Sequence, residues 1–183
     1  MTDQKAGKKQ VDQRELDEAL VREIAAEEGG EAILKCYACG TCTAICPVAF
    51  VDERFSPRAV IRMAILGMRE ELLSSEFLWL CAGCYSCSER CPQGVKVTDL
   101  MRAIARIAAR EGRSHRSIIA ALDRLEKEGR LTEISEFEQT LREKNGLEPL
   151  EIERVKADVK RLFDATKVRK RVKAADGGDG GGK

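Results

Sequence analysis

The chain has 183 residues, of which 34% are charged and only 4% aromatic, and its formal net charge is +1. A charge this close to neutral argues against a nucleic-acid-binding protein that depends on a global positive field. The composition indicates charged, surface-rich helices around a modest core, and it gives no sign of a β-rich fold.

The apolar segments of the chain are short. The longest wholly apolar run lies at 77–82, far below the roughly 20 residues that a membrane-spanning helix needs. No apolar segment follows the charged start, so we expect no secretory signal. We therefore expect a protein without a membrane span that stays in the cytoplasm, where thiols are kept reduced.

Two elements are predicted before the first cysteine. Residues 1–10 are polar and lysine-rich, which favours a disordered N-terminus. A helix is predicted over about 12–28, within an N-terminal segment at 11–30. Asp12 is its predicted cap, Glu15 stands at the capping-box position, and Gly29 follows its last turn.

A central segment at 31–112 combines the cysteines with two more predicted helices. Ser56 and Pro57 are expected to begin the first, as cap and first helical residue. Thr98 is expected to cap the second, which ends at Gly112. The predicted buried residues, at helical spacing, are Val60, Ile61, Ala64, Ile65 and Met68 in the first helix and Leu100, Met101, Ile104, Ile107 and Ala108 in the second. No segment shows the strict alternation of a half-buried strand, so the predicted fold is all-α.

Beyond Gly112 the pattern stays helical but contains no cysteine. The predicted apolar stripes lie at 118–125, ending at Gly129, then at Ile134, Phe137 and Leu141, and then from Pro149 through 162. They are too narrow to form a stable core by themselves. We predict that 113–166 is a helical extension that docks a partner. The segment 167–183, basic and then glycine-rich, is predicted to be a disordered tail.

The eight cysteines form two quartets with the same spacing, C-x₂-C-x₂-C-x₃-C-P. The first quartet is Cys36, Cys39, Cys42 and Cys46, and the second is Cys81, Cys84, Cys87 and Cys91. Three thiolates at this spacing can hold three corners of a [4Fe–4S] cubane, and in two-cluster ferredoxins the fourth cysteine binds the other cluster. The pattern therefore predicts two [4Fe–4S] clusters, one on Cys36, Cys39, Cys42 and Cys91, and one on Cys81, Cys84, Cys87 and Cys46.

This crossed arrangement has a consequence for electron transfer. Cys42 and Cys46 are four residues apart, so even an extended chain spans only about 14 Å between them. The same limit applies to Cys87 and Cys91. The two clusters would lie close enough for fast electron exchange, so the predicted role is an electron relay with no catalytic residue of its own.

Several residues near the motifs are expected to adjust the clusters. Gly40 and Gly83 would let backbone amides approach cluster sulfurs. The candidate hydroxyl donors to sulfur are Thr41, Thr43, Ser86 and Ser88, and the candidate charges are Arg90 and Lys96. The aromatic residues Tyr37, Trp79 and Tyr85 are expected to pack near the motifs.

Other interpretations of the cysteines are weaker. Two Cys₄ zinc sites are possible, but zinc ribbons pair two separated C-x₂-C knuckles and do not need a third cysteine at the same spacing. A disulfide framework is disfavoured by the lack of an export signal. Clusters with a structural or sensing role are a further alternative to electron transfer. His115 is the only histidine and is expected at the surface or at a helix start, so no histidine-based site is predicted.

The motif at 36–47 (CYACGTCTAICP) resembles the helical-ferredoxin modules of anaerobic redox complexes. The segments 64–71 (AILGMREE) and 78–99 (LWLCAGCYSCSERCPQGVKVTD) make the chain similar to the C subunit of heterodisulfide reductases. This resemblance covers about 31–112, and the C-terminal third matches only in being helical. It implies a helical ferredoxin fold with two [4Fe–4S] clusters and helical extensions on both sides.

The resemblance also implies partners. In that family the C subunit passes electrons between the A subunit, which carries flavin and iron–sulfur clusters, and the B subunit, which reduces the disulfide at CCG motifs. The implied overall reaction is CoM-S-S-CoB + 2 e⁻ + 2 H⁺ giving CoM-SH and CoB-SH. A hydrogenase or formate dehydrogenase module is a further candidate partner.

Features of the chain agree with a relay role. The chain has no CCG motif and no glycine-rich dinucleotide fingerprint, so the disulfide site and the flavin are expected on other subunits. Two alternatives share the same chemistry: a relay subunit of another anaerobic dehydrogenase or quinone-linked complex, and one of a sulfur-oxidising, heterodisulfide reductase-like complex.

Overall fold

The computed structural model describes residues 12–172 of the chain, and this part is helical with no β-strand. The all-α prediction is confirmed. The predicted disorder of residues 1–10 and of the glycine-rich end falls outside the described residues. The α-helices, in chain order, are α1 (Leu20–Ala26), α2 (Thr41–Ala44), α3 (Pro47–Val51), α4 (Pro57–Ile65), α5 (Arg69–Leu73), α6 (Ser86–Glu89), α7 (Val97–Arg110), α8 (Arg116–Glu128), α9 (Glu136–Lys144), α10 (Ile152–Thr166) and α11 (Val168–Arg171). Short 3-10 turns lie at Gln13–Glu15, Ile33–Lys35 and Glu76–Leu80.

The chain divides into two compact units, Met1–Ile107 and Ala108–Lys183, with the boundary inside α7. The first unit contains both cysteine motifs, and the second contains none. The bounds 31–112 and 113–166 that the sequence suggests for the ferredoxin domain and its extension remain predictions.

The first unit has an apolar core. The faces predicted for α4 and α7 are largely confirmed, because Val60, Ile61 and Ala64 are buried, as are all five residues predicted on α7, whereas Ile65 and Met68 are half-buried. Other buried residues of this unit are Leu20, Ile24, Ile33, Phe55, Leu72, Leu73 and Leu78. At about 0.8 kcal/mol per buried methylene group, this core is the main stabilising contribution to the unit.

The single helix predicted over 12–28 is wrong in extent. Asp12 caps only the 3-10 turn Gln13–Glu15, and α1 begins at Leu20. The break has a tertiary cause, because the backbone N–H of Asp17 donates to the carbonyl of Gly67 at 2.8 Å. The Asp17 side chain in turn accepts from the N–H of Ala19 at 2.8 Å, so the chain turns here before the helix starts.

The two helices that follow the motifs begin in different ways. Ser56 caps α4 as predicted, since its hydroxyl accepts from the N–H of Ala59 at 3.2 Å, and Pro57 is the first helical residue. The predicted cap of α7 is wrong, because Thr98 lies inside the helix, which already begins at Val97. The hydroxyl of Thr98 has another contact, described below.

The second unit contains helices in the predicted segments, but some of them begin or end at other residues than predicted. Gly129 ends α8 in the left-handed region, at a φ of 68°, as its position predicted. The stripe predicted at Phe137 and Leu141 is not buried, because these side chains are 70% and 48% exposed. α10 begins at Ile152 rather than near Pro149.

Part of the segment predicted as a disordered tail is helical, since α11 covers Val168–Arg171. Arg169 explains this order, because its guanidinium lies 2.7 Å from an Asp123 carboxylate oxygen and 2.5 Å from one of Glu126. None of the helices between residues 12 and 172 has the length and apolar character needed to cross a membrane.

Candidate metal centres

Each cysteine motif forms a loop followed by a one-turn helix, α2 in the first motif and α6 in the second. Each loop contains two residues with positive φ at the same motif positions: Ala38 and Gly40 at 61° and 91°, and Gly83 and Tyr85 at 64° and 62°. Glycine occupies the second of these positions in the first loop and the first of them in the second loop. The remaining position in each loop is occupied by an L residue, Ala38 or Tyr85, whose backbone is strained at a positive φ. The shared geometry shows that the two motifs are structural repeats.

A hydroxyl residue after the third cysteine joins each motif to the next long helix. Thr43 Oγ1 accepts from the backbone N–H of Arg58 at 3.1 Å, and Ser88 Oγ accepts from that of Thr98 at 3.0 Å. Both donors lie in the first turn of their helix, where N–H groups have no partner within the helix. The starts of α4 and α7 are therefore fixed beside the cysteine loops.

The first motif and the end of the second surround one cavity that is open to solvent. Its walls include four of the predicted ligands, Cys36, Cys39, Cys42 and Cys91, together with Arg58. Cys91 is the fourth cysteine of the second motif. The structure thus brings together the residues that the sequence assigns to one crossed ligand set.

The other predicted set is also close in space. The pKa of the Cys81 thiol responds electrostatically to Cys87, Cys46 and Cys84, which are the other three members of that set. Within residues 12–172, no three side chains of His, Cys, Asp or Glu converge closely enough to hold a single metal ion. Thiols spaced around a cavity fit a larger group, such as a [4Fe–4S] cubane, whose corners keep its four ligands apart. The assignment of the eight ligands remains a prediction.

The cysteine thiols differ in their tendency to ionise. Burial raises the pKa of Cys42 and of Cys81. The hydroxyl of Thr41 lowers the pKa of Cys39, and the backbone N–H of Ser86 lowers that of Cys84. Because the thiolate is the metal-binding form, these contacts favour the binding form of Cys39 and of Cys84.

Hydroxyl groups approach the thiols in both motifs. Thr41 Oγ1 lies 3.4 Å from Cys39 Sγ, and Ser86 Oγ lies 3.6 Å from Cys84 Sγ, as the sequence suggested. Sequence reasoning missed Thr98, whose Oγ1 lies 3.4 Å from Cys87 Sγ. Its position a few residues after the second motif is a signal for this contact, but the same position also fits a helix cap.

The aromatic residues of the motifs do not pack as predicted. Tyr37 is 60% exposed and Tyr85 is 38% exposed. Trp79 is half-buried in the 3-10 turn that leads into the second motif, and its packing against a cluster remains a prediction. His115 stands at a helix start, as expected, where its Nδ1 accepts from the backbone N–H of Ser117 at 3.3 Å.

Comparisons with known proteins address the same region. The model of a family described as "4Fe-4S dicluster domain" matches residues 32–95. The iron-sulfur C subunit of the CoB–CoM heterodisulfide reductase of Methanopyrus kandleri is 38% identical over 102 residues, which cover 54% of this chain and 53% of that protein. The chain therefore spans about half the length of this relative.

Two other relatives match over most of their length. A protein of Archaeoglobus profundus, named as similar to the C subunit of heterodisulfide reductase, is 35% identical over 159 residues, covering 87% of this chain and 83% of that protein. The C subunit of the ferredoxin:CoB-CoM heterodisulfide reductase of Methanosarcina mazei is 33% identical over 135 residues, covering 74% and 81%. These matches extend beyond the cysteine motifs into the C-terminal helices.

Proposed function

Since the chain belongs to the family of heterodisulfide reductase C subunits, we propose that it is the electron-relay subunit of a complex of that type. It would pass electrons between a flavin-containing A subunit and a B subunit that reduces a disulfide at CCG motifs. The proposed overall reaction is CoM-S-S-CoB + 2 e⁻ + 2 H⁺ giving CoM-SH and CoB-SH. The names of the relatives, which are subunits of heterodisulfide reductases, support a multi-subunit assembly.

The observation that carries the proposal is the cavity whose walls contain cysteines of both motifs. We propose that the first site, Cys36, Cys39, Cys42 and Cys91, holds one [4Fe–4S] cluster. The second site, Cys81, Cys84, Cys87 and Cys46, would hold the other. A bound cluster of this kind supplies a centre that takes up and releases one electron at a time.

The chain's own residues would hold and adjust these centres. The thiolates would bind the iron, and the hydroxyls of Thr41, Ser86 and Thr98, which lie 3.4–3.6 Å from cysteine sulfurs, would then act as donors to the thiolates. Ile61 and Val97 line the cavity of the first site. Their burial limits the access of water to the inner side of that site. No residue of the chain has to transfer a proton, which fits a relay and not a catalytic centre.

The proposal is tested by purifying the tagged full-length chain anaerobically from its source and identifying the proteins that remain bound. We expect one flavoprotein and one protein with CCG motifs, with about eight irons and matching labile sulfide per chain. The complex should transfer electrons to CoM-S-S-CoB, and a variant with Cys39→Ala and Cys84→Ala should lose this transfer. Zinc in place of iron, or partners without CCG motifs, would contradict the proposal.

A second candidate uses the same relay with a different terminal substrate. It is favoured by the Archaeoglobus profundus protein, which covers most of this chain and is named only as similar to a C subunit. Offering the reduced complex CoM-S-S-CoB and other disulfides side by side distinguishes the two. Reoxidation by CoM-S-S-CoB alone supports the first candidate, and reoxidation only by another acceptor supports the second.

A further inference from the structure

The two proposed cluster sites can be compared group by group, because the two motifs are structural repeats. The hydroxyl contacts are matched: Thr41 with Cys39 in the first motif corresponds to Ser86 with Cys84 in the second. A further hydroxyl is present on each side, Thr43 beside Cys42 and Thr98 beside Cys87. Hydrogen bonds of hydroxyls to sulfur therefore affect both sites to a similar extent.

The positive charges beside the two sites are not matched. Arg58 lines the cavity of the first site, and its Nη1 lies 3.4 Å from the carbonyl oxygen of Ala38 in the cysteine loop. Among the described residues, no carboxylate forms an ion pair with Arg58. A guanidinium that is paired only with a neutral carbonyl keeps its full charge at the site.

The arginine at the second loop is Arg102, which has a carboxylate beside it. It lies above the ring of Tyr85, with 5.0 Å from its guanidinium carbon to the ring centroid, and its Nη1 lies 3.5 Å from Asp99 Oδ1. A Cβ built on Gly83 would stand 3.4 Å from Arg102 Nη2, so the guanidinium does reach this loop. The carboxylate of Asp99, itself half-buried, offsets the charge that Arg102 brings.

The first loop also carries a phenol group, that of Tyr37, directly after its first cysteine. Ala82 stands at the same motif position in the second loop and has no hydrogen-bond donor in its side chain. Beside the first loop, then, stands an arginine with no carboxylate partner among the described residues, whereas the arginine at the second loop has Asp99 beside it.

We infer that Arg58 makes the site of Cys36, Cys39, Cys42 and Cys91 the higher-potential site of the two. Reduction adds one electron, and hence one negative charge, which a nearby positive charge stabilises. This inference rests on the proposed function, since it requires that both sites hold clusters. In a half-reduced chain the electron resides mainly at the first site.

The inference is tested on the full-length chain with its clusters, by redox titration followed by EPR. Arg58→Gln should move the higher of the two midpoint potentials downwards and leave the lower one in place. Arg58→Lys, which keeps the charge, should restore most of the shift. Arg14→Gln removes an exposed arginine that is paired with Asp12, and this control should move neither midpoint.

A second variant tests the other site independently. Asp99→Asn removes the carboxylate beside Arg102 and should move the lower midpoint upwards without changing the higher one. These two variants need no prior assignment of EPR signals, because they act on different signals and in opposite directions.

The inference is overturned if Arg58→Gln leaves both midpoints unchanged or moves the lower one, or if Asp99→Asn has no effect. Iron and sulfide content separates this failure from that of the proposed function. A fully loaded variant with unchanged midpoints rejects only the role of Arg58, whereas a wild-type chain without clusters rejects both.

Discussion

The unit that ends at Ile107 combines a large buried core with ion pairs between residues far apart in the sequence, whereas the unit that begins at Ala108 buries few apolar side chains. In the first unit, the Arg69 guanidinium lies 2.9 Å from Asp17 Oδ2 and 2.8 Å from Glu23 Oε2. In the described part of the second unit, Arg154 pairs with Glu151 and Lys156 with Glu153, three positions apart, and Arg169 supplies the long-range pairs, with Asp123 and Glu126. Local pairs support a helix, but only long-range contacts fix one helix against another.

The burial of apolar side chains also differs between the two units. In the described part of the second unit, the buried apolar residues are Ala108 and Val159, whereas the first unit buries most of its large aliphatic side chains. The exposed large apolar residues of the second unit are Ile118, Leu131, Phe137, Leu141, Leu147 and Leu162. The first unit exposes large apolar residues as well, among them Phe50 and Val51, and the docking of a partner by 113–166 remains a prediction.

The largest expected effect concerns the long-range link between the motifs. In a crossed arrangement, Cys46→Ala with Cys84→Ala damages one cluster, so the chain should keep about four of its eight irons. Cys46→Ala with Cys39→Ala damages both clusters and should leave almost no iron. Iron and sulfide analysis of the two anaerobically prepared variants checks this. If each fourth cysteine instead served its own motif, the two iron contents would be exchanged.

The second largest effect is expected when an aromatic side chain is truncated, and the loss of stability should differ between the two units. Phe55 is 1% exposed in the first unit, so Phe55→Ala should lower its stability by about 3–5 kcal/mol through lost packing. Phe137 is 70% exposed in the second unit, and Phe137→Ala should change stability by less than about 0.5 kcal/mol. Urea titrations of both variants, followed by circular dichroism, give the comparison. Equal losses would show that Phe137 is covered in the isolated chain.

Replacing one ion-paired arginine should have a smaller effect on stability, and the effect should again differ between the two units. Arg69→Met leaves partly buried Asp17 and Glu23 without this guanidinium and should cost about 1–3 kcal/mol. Arg161→Met removes an exposed pair with Asp158 and should cost less than about 1 kcal/mol. The same titrations measure both changes. A loss at Arg161 as large as that at Arg69 would contradict the contrast between long-range and local contacts.

The smallest effect is expected at the start of α9. The backbone N–H of Ser135 donates to Glu138 Oε2 at 2.8 Å, and the Ser135 hydroxyl donates to the same oxygen. These bonds lower the pKa of Glu138 below its ordinary 4.5. The stabilisation is therefore complete above that value and is lost as the pH falls through the lowered pKa.

Glu138→Gln should accelerate amide exchange in the first turn of α9 at neutral pH and leave the exchange of α7 unchanged. Exchange measured residue by residue by NMR checks this on the intact protein. Faster exchange spread over both units would mean that the capping contact is not local.

Much of the first unit could be predicted from the sequence, because its main signals are local. The spacing of cysteines, the Ser56-Pro57 helix start and the apolar periodicity of α4 and α7 each depend on residues close together in the chain. The break before α1 could not be predicted in this way. Its cause is the contact of Asp17 with Gly67 and Arg69, some fifty residues away.

The contact of Thr98 with Cys87 could not be predicted from the sequence for a related reason. Its sequence context fits a helix cap, and only the folded position of the second motif brings its hydroxyl to Cys87. The ion pair of Arg102 with Asp99 likewise depends on how the side chains are placed in the fold. So does the absence of a carboxylate partner for Arg58 among the described residues. Sequence spacing identifies the thiols, whereas the groups that distinguish the two sites are set by tertiary structure.

The cavity beside the first motif also determines when this part of the protein can mature. One wall consists of Cys91, Pro92 and Gln93, which are synthesised long after Cys36. A nascent chain that has left the ribosome only as far as residue 80 carries an incomplete pocket, whatever the state of its first loop. If this pocket holds a cluster on Cys36, Cys39, Cys42 and Cys91, as proposed, its full ligand set forms only after the two repeats have come together.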